Sequence, residues 1–106
     1  MQNVSSDYLQ KVVEDINKEL AQQIQSGGGW RQIIGALHVK LDEWGFRWGE
    51  SVVVDVLDAP PRWRVAWEFT TTYNDELFKS QLVVEGINDG NDLVLQKAYI
   101  TDFAPV

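Results

Sequence analysis

The hydrophobic pattern changes period once along the chain, and that switch constrains the fold more than any other feature. Up to Trp44 apolar residues recur at three- and four-residue steps; from Ser51 onward they recur at every second position. The first spacing lines up side chains on one face of an α-helix, the second on one face of a β-strand. A helical half followed by a strand half, with short connections throughout, predicts an α+β architecture.

Leu9, Val12, Val13, Ile16, Leu20 and Ile24 form the first helical stripe, with Lys11, Glu14, Asp15, Lys18, Glu19 and Gln22 filling the other face. Asp7 is the expected N-cap, and Gln10 three places later completes a capping-box spacing. Ser26 and the triplet Gly27-Gly28-Gly29 stop the helix and supply a joint. Trp30, Ile33, Ile34, Leu37, Leu41 and Trp44 make a second stripe, closed by Gly45 in the position of a C′ glycine. Gly35 lies inside this helix, where glycine costs about 1 kcal/mol relative to alanine. Close packing of another backbone would account for it.

The strand half reads as four segments. Val52–Leu57 is apolar on both faces over part of its length, and Asp58-Ala59-Pro60-Pro61 is a loop because neither proline can donate to a ladder. In the second segment Trp63, Val65, Trp67, Phe69, Thr71 and Tyr73 alternate with Arg62, Arg64, Ala66, Glu68, Thr70 and Thr72. Asn74-Asp75-Glu76 turns the chain into a third strand, in which Phe78, Leu82 and Val84 oppose Lys79, Gln81, Val83 and Glu85. Asp89-Gly90 is a hairpin dipeptide whose two central residues would both take positive φ. The last strand, Leu93 to about Thr101, has no clear facing, since Leu93, Leu95 and Tyr99 oppose Val94, Ala98 and Ile100. The expected fold is two N-terminal helices packed on one face of a four-stranded antiparallel meander sheet. The 106 residues fit one two-layer domain.

Composition narrows the function. With no cysteine the chain can form neither a disulfide framework nor a thiolate zinc site. The longest aliphatic run, Val52–Val54, is far short of the ~20 residues of a membrane span. A net charge of −7 counts against an electrostatic hold on nucleic-acid phosphate. Residues 1–7 have neither a basic nor an apolar leader segment, so no secretory signal is expected and a cytoplasmic location is the default. The acids concentrate late: residues 65–106 carry seven against Lys79 and Lys97, which would steer the protein toward a basic partner.

Several motifs invite a chemical role and carry a simpler explanation. His38 and Asp42 share a helix face, but the chain holds no second histidine for a metal and no nucleophile in a recognisable setting. Glu85–Asp92 is acidic and glycine-bearing, yet it lacks the order of a calcium loop and a hairpin turn accounts for it. All four arginines adjoin a tryptophan, as single-stranded nucleic-acid sites and protein hot spots do. Neighbours on a strand point to opposite faces, however, so the pairs need not touch. No metal and no cofactor are expected.

If Trp63, Val65, Trp67 and Phe69 lie beneath the helices, the opposite face of the sheet is open. It would present Arg62, Arg64, Ala66, Thr70 and Thr72, joined by Val53, Leu57 and Val83 from the flanking strands. A mixed apolar and Arg/Thr surface of that extent suits a partner. Glu85, Asp89 and Asp92 are the acidic candidates for a basic one. The expected function is therefore that of a small acidic protein–protein interaction module, such as an inhibitor or immunity-type factor for a basic effector. One alternative is a small-ligand protein or enzyme with an aromatic pocket between helices and sheet, using His38, Asp42, Glu50 and Asp55 at its mouth. Another is a structural subunit that dimerises sheet to sheet.

Overall fold

The computed structural model describes residues 4–106, so the part of the leader expectation that rests on Met1, Gln2 and Asn3 lies outside the described residues. Two helices, α1 (Ser6–Gln25) and α2 (Trp30–Glu43), precede β1 (Arg47–Ala59), β2 (Arg62–Tyr73), β3 (Glu76–Asp89), β4 (Asp92–Ile100) and the two-residue β5 (Ala104–Pro105). The strands follow one another as an antiparallel meander, β1-β2-β3-β4, with β5 continuing the β4 side along β3 at Phe78 and Lys79. Both helices pack on one face of the sheet, which makes the architecture α+β and two-layered. No described helix is long and apolar enough to cross a membrane.

The helical stripes reach the core as their spacing requires. Val12, Val13, Ile16 and Leu20 of α1 and Ile33, Leu37 and Leu41 of α2 are buried. They pack against Phe69, Phe78, Leu82, Val84, Ala98 and Ile100 from the sheet, with Phe46 and Phe103 closing one end. The cap of α1 is Ser5 rather than Asp7: its hydroxyl accepts from the Tyr8 backbone N–H at 3.1 Å. Asp7 instead sits in the first turn, where its charge complements the positive end of the helix.

A polar girdle ties the two helices together. Trp44 Nε1 donates to Asp15 Oδ2 at 2.8 Å, and Lys40 Nζ reaches the same oxygen at 3.2 Å. The indole hydrogen bond holds the Asp15 carboxyl below the usual carboxylate range; partial burial opposes it and Lys40 adds to it. A lowered native value means that the unfolded chain binds the proton more readily. The stabilisation is thus present above about pH 4 and lost as pH falls through the folded value. Asp15→Asn is expected to melt below the wild type at neutral pH, with the two midpoints converging on acidification; melts over a pH series check this. Tyr8 donates to the Trp44 carbonyl at 2.8 Å, and burial together with the adjacent Tyr73 pushes its hydroxyl up to about 12.

Gly35 has no close neighbour: a Cβ there would meet nothing within 4 Å. The expectation of another backbone against it is therefore not met. Gly35→Ala is expected to stabilise the protein by about 0.5–1 kcal/mol, seen as a rise of a few degrees in the melting midpoint.

Three bulges interrupt the outer strands, the first of them in β1 between Trp48 and Ser51. Between Val53 and Asp55 the β1–β2 register slips by one residue, so Val53 pairs with Trp67 whereas Asp55 pairs with Ala66. Between Glu85 and Gly86 the β3–β4 register slips likewise, with Lys97 opposite Glu85 and Leu95 opposite Gly86. One extra residue turns every later side chain to the other face. Leu93 and Leu95 therefore share the helix side with Ala98 and Ile100, which resolves the facing that alternation leaves open.

The hairpin turns differ slightly from expectation. Asp89 pairs with Asp92, so the central residues are Gly90 and Asn91, and only Gly90, at φ +66°, is left-handed. The turn with two left-handed residues is Asn74-Asp75, at φ 50° and 61°, between β2 and β3.

Candidate functional site

The far face of the sheet is less of a docking surface than its composition suggests. Arg62, Arg64, Ala66, Thr70 and Thr72 do lie on it, and so does Leu57, paired with Arg64. Val53 does not: the bulge at Val54 puts it beside Trp67 on the helix side, a correction that straight alternation could not supply. Ala66 and Val83 face away from the helices but are only 4% and 6% exposed, so they form a closed floor and offer no accessible apolar area. Exposed Val52, Leu57, Leu77 and Val94 stand around this floor, interspersed with polar pairs. Arg64 donates to Asp55 Oδ2 at 3.0 Å, and Lys97 Nζ stands 5.1 Å from the Tyr99 ring centre. Glu85 lies in register between Arg64 and Lys97, flanked by two cations. Asp89 and Asp92 face each other at the hairpin tip.

A tryptophan-lined apolar surface lies on the other side, past the end of the helices. Its origin is a mismatch of lengths. Helix α2, with 14 residues at about 1.5 Å each, spans roughly 21 Å, whereas β3, with the same number at about 3.3 Å, spans roughly 46 Å. The described residues extend over 53 × 26 × 19 Å, and the hairpin end of the sheet projects beyond the helical layer.

Trp30, the first residue of α2, marks the boundary, with its ring 4.7 Å from that of Trp67. Beyond it, Gly29, Trp30, Trp63, Val65, Trp67, Leu93 and Leu95 line an open groove of about 470 Å³. A second depression of about 360 Å³ shares Trp30 and Trp67 and continues along α2 to His38, Trp48 and Ser51. In the register rows at this end the helix-side residues are Val53, Val56 and Asp58 of β1, then Trp67, Val65 and Trp63 of β2. Asp58 is the one charged side chain among them, while Arg62, Arg64 and Lys97 all belong to the far face. The strand cations at this end are therefore on the opposite side from the groove, as are Asp89 and Asp92 of the hairpin tip; on the groove's own side stand Asp58 of β1 and Arg31, which follows Trp30 in α2.

Gly86 holds the wall of the groove in shape. A Cβ at that position would lie 2.6 Å from the Trp63 ring and 2.5 Å from the Val94 carbonyl oxygen, so the indole rests directly over a bare backbone.

The His38–Asp42 pair is not assembled. The imidazole lies 4.3 Å from the Trp48 ring, and no hydrogen bond joins it to Asp42 among the described residues. Glu50 and Asp55 are likewise separated from it: the Glu50 backbone N–H donates to Thr70 Oγ1 at 3.2 Å, and Asp55 holds Arg64. Among the described residues, no three of His, Asp and Glu come close enough to hold a metal ion.

Known proteins give no guide to the groove. No family model matches the chain, and no curated protein or solved structure matches it.

Trp30, Val56, Leu93 and Leu95 are the groove residues that pattern reading does not single out. Their signal is the strand and helix lengths compared above. A stripe running from Trp63 to Tyr73 is too long for a 14-residue helix to cover.

Proposed function

We propose that this chain is a small acidic protein-binding module that takes its partner in the groove at the hairpin end of the sheet, rather than on the far face. The partner that suits it carries an apolar extended segment with basic residues around it, as an effector held by an inhibitor or immunity-type factor would. The observation that carries this reading is the row of half-buried Trp67, Val65 and Trp63 with exposed Trp30, continued by exposed Val56 and Leu93. A continuous apolar patch of that size on an otherwise charged protein is characteristic of an interaction surface. Tryptophans at its centre are the residue type that most often dominates binding energy. Asp58 on the groove's side and the overall net charge of −7 supply steering for a cation-bearing partner.

A second reading is favoured by the depth of the groove: its volume and aromatic lining also suit a flat apolar small molecule. The two separate experimentally. Selection from a random peptide library on the immobilised protein is expected to enrich sequences that alternate apolar residues with Lys or Arg. Trp67→Ala is expected to weaken these peptides by about 30-fold or more, the effect of removing a hot-spot aromatic, and rising salt is expected to slow their association. Failure to enrich any peptide, or enriched peptides indifferent to Trp67→Ala and Trp30→Ala, would sink the protein-binding reading. Thermal stabilisation by aromatic compounds that Trp67→Ala abolishes would then favour the small molecule.

A further inference from the structure

The two edges of the sheet are finished differently. Where α1 passes β4, Asn17 Nδ2 donates to the Ile100 carbonyl at 3.1 Å, and the Ile100 N–H donates to Asn17 Oδ1 at 2.7 Å. A side-chain amide thus stands in for the missing neighbouring strand. Edge strand β1 has no comparable closure from Ser51 to Ala59 among the described residues. Along it Val52, Val53, Val54, Val56 and Leu57 are 42–61% exposed. Open edges are ordinarily blunted with charged residues, proline or bulges, or kept short. This one is 13 residues long, and although it carries acids and two bulges, its stretch Val52–Leu57 is apolar but for Asp55.

The geometry points to a second copy of this chain as the cover, its β1 pairing antiparallel with the first across a two-fold axis normal to the sheet. Such an axis keeps both helical layers on one side, so each residue must oppose one from its own face. The bulge makes that possible over the whole stretch. With the axis between Val54 and Asp55, Val53 opposes the second copy's Val56, both on the helix side. Val52 then opposes the second copy's Leu57, both on the far side.

Charge is compatible with this register. Asp58 falls opposite Ser51 and Glu50 opposite Ala59; the two copies' Asp55 come about 6 Å apart diagonally across the axis, each paired with its own Arg64 at 3.0 Å. Ten paired residues make a seam about 34 Å long, and side chains on both faces bring the buried area to roughly 1,000 Å², at the low end for specific interfaces. The helix-bearing half of each copy then lies alongside the bare half of the other. Trp63, Trp67 and Leu93 stay off the seam, which shares only β1 residues such as Val56 and Asp58 with the groove's edge; the pairing is argued from the β1 edge and not from the peptide-binding reading.

Sedimentation over a concentration series tests it. Dimer is expected to grow with concentration and with added salt, because screening relieves repulsion between two copies of net charge −7. The chain has no cysteine, so single introduced thiols report the register. In Val54→Cys the two copies' residues 54 are about 6 Å apart diagonally, within disulfide reach; in Leu57→Cys the residues 57 are about 17 Å apart. Oxidative cross-linking of the first and not the second is expected, with loss of the dimer in Val56→Lys while its circular dichroism is unchanged. A monomer at every concentration and salt overturns the proposal. So does cross-linking at Leu57→Cys without Val54→Cys, or through Leu93→Cys alone. If Val56→Lys does not fold, the two thiol variants still decide. A monomer that still enriches basic peptides would overturn the seam alone.

Discussion

Phe69→Ala is expected to destabilise the protein by about 3–5 kcal/mol, the range for deleting a fully buried aromatic ring. Phe69 is completely enclosed; it stacks on Trp48 at 5.0 Å and meets Phe103 edge-on at 6.4 Å. It therefore joins the two helices to both the sheet and the C-terminal segment. A domain of this size has about 5–15 kcal/mol of stability in total, so the variant retains little reserve. Chemical denaturation, read as a lowered midpoint at unchanged slope, measures the loss. Trp67→Ala is the informative contrast. Two positions away on the same face but only half-buried, it is expected to cost less in stability while removing groove binding. Similar losses of stability in the two variants would show that the groove is part of the core.

Gly86→Ala is the second large effect expected, at about 3 kcal/mol, toward the upper end for overpacking. The added methyl would clash with the Trp63 indole and with the Val94 carbonyl. The indole can swing away, but the backbone carbonyl cannot do so without breaking the bulge that seats it. The variant is expected to show a raised exposure of Trp63, read by fluorescence quenching, and a lowered melting midpoint. Restoring space with Trp63→Leu in the same chain should recover part of the stability. Absence of any recovery would place the whole cost in the backbone contact.

Much of the fold was legible because most of it obeys simple periods. The helical stripes, the two-residue alternation of β2 and β3, and the turn residues each carry local information, and they agree with the tertiary packing. What alternation missed traces to single inserted residues. Val54 and Gln96 each add one position to an edge strand, and nothing in their chemistry marks a bulge. For β4 a trace existed: Leu93 and Leu95 keep one parity while Ala98 and Ile100 keep the other, as one extra residue between them requires. For β1 there was none, since valines on both sides of the slip look alike. That uniformity is why Val53 was assigned to the wrong face.

The candidate site was harder to read, because it depends on what is left uncovered. The aromatic stripe was plain in the sequence and its direction was correct. Its accessibility followed from comparing the reach of 14 helical residues with that of 14 extended ones, a comparison between elements rather than a property of any residue. Two of the far-face residues are inaccessible for a related reason. Ala66 and Val83 are small and apolar, and on a flat sheet their taller polar neighbours close over them.

The clasp between Asn17 and Ile100 joins positions 83 residues apart, the middle of the first element to the end of the last long one. During synthesis α1 emerges well before the strand it rests on, with α2 and three strands between them. Until then its apolar stripe has only α2 to lean against, and a short helical pair is marginal in water. Native structure is therefore reached late and nearly all at once. A ribosome paused before residue 100 holds a chain with its longest helix still unsheltered, the stage at which a molecule of this kind most needs a chaperone's company.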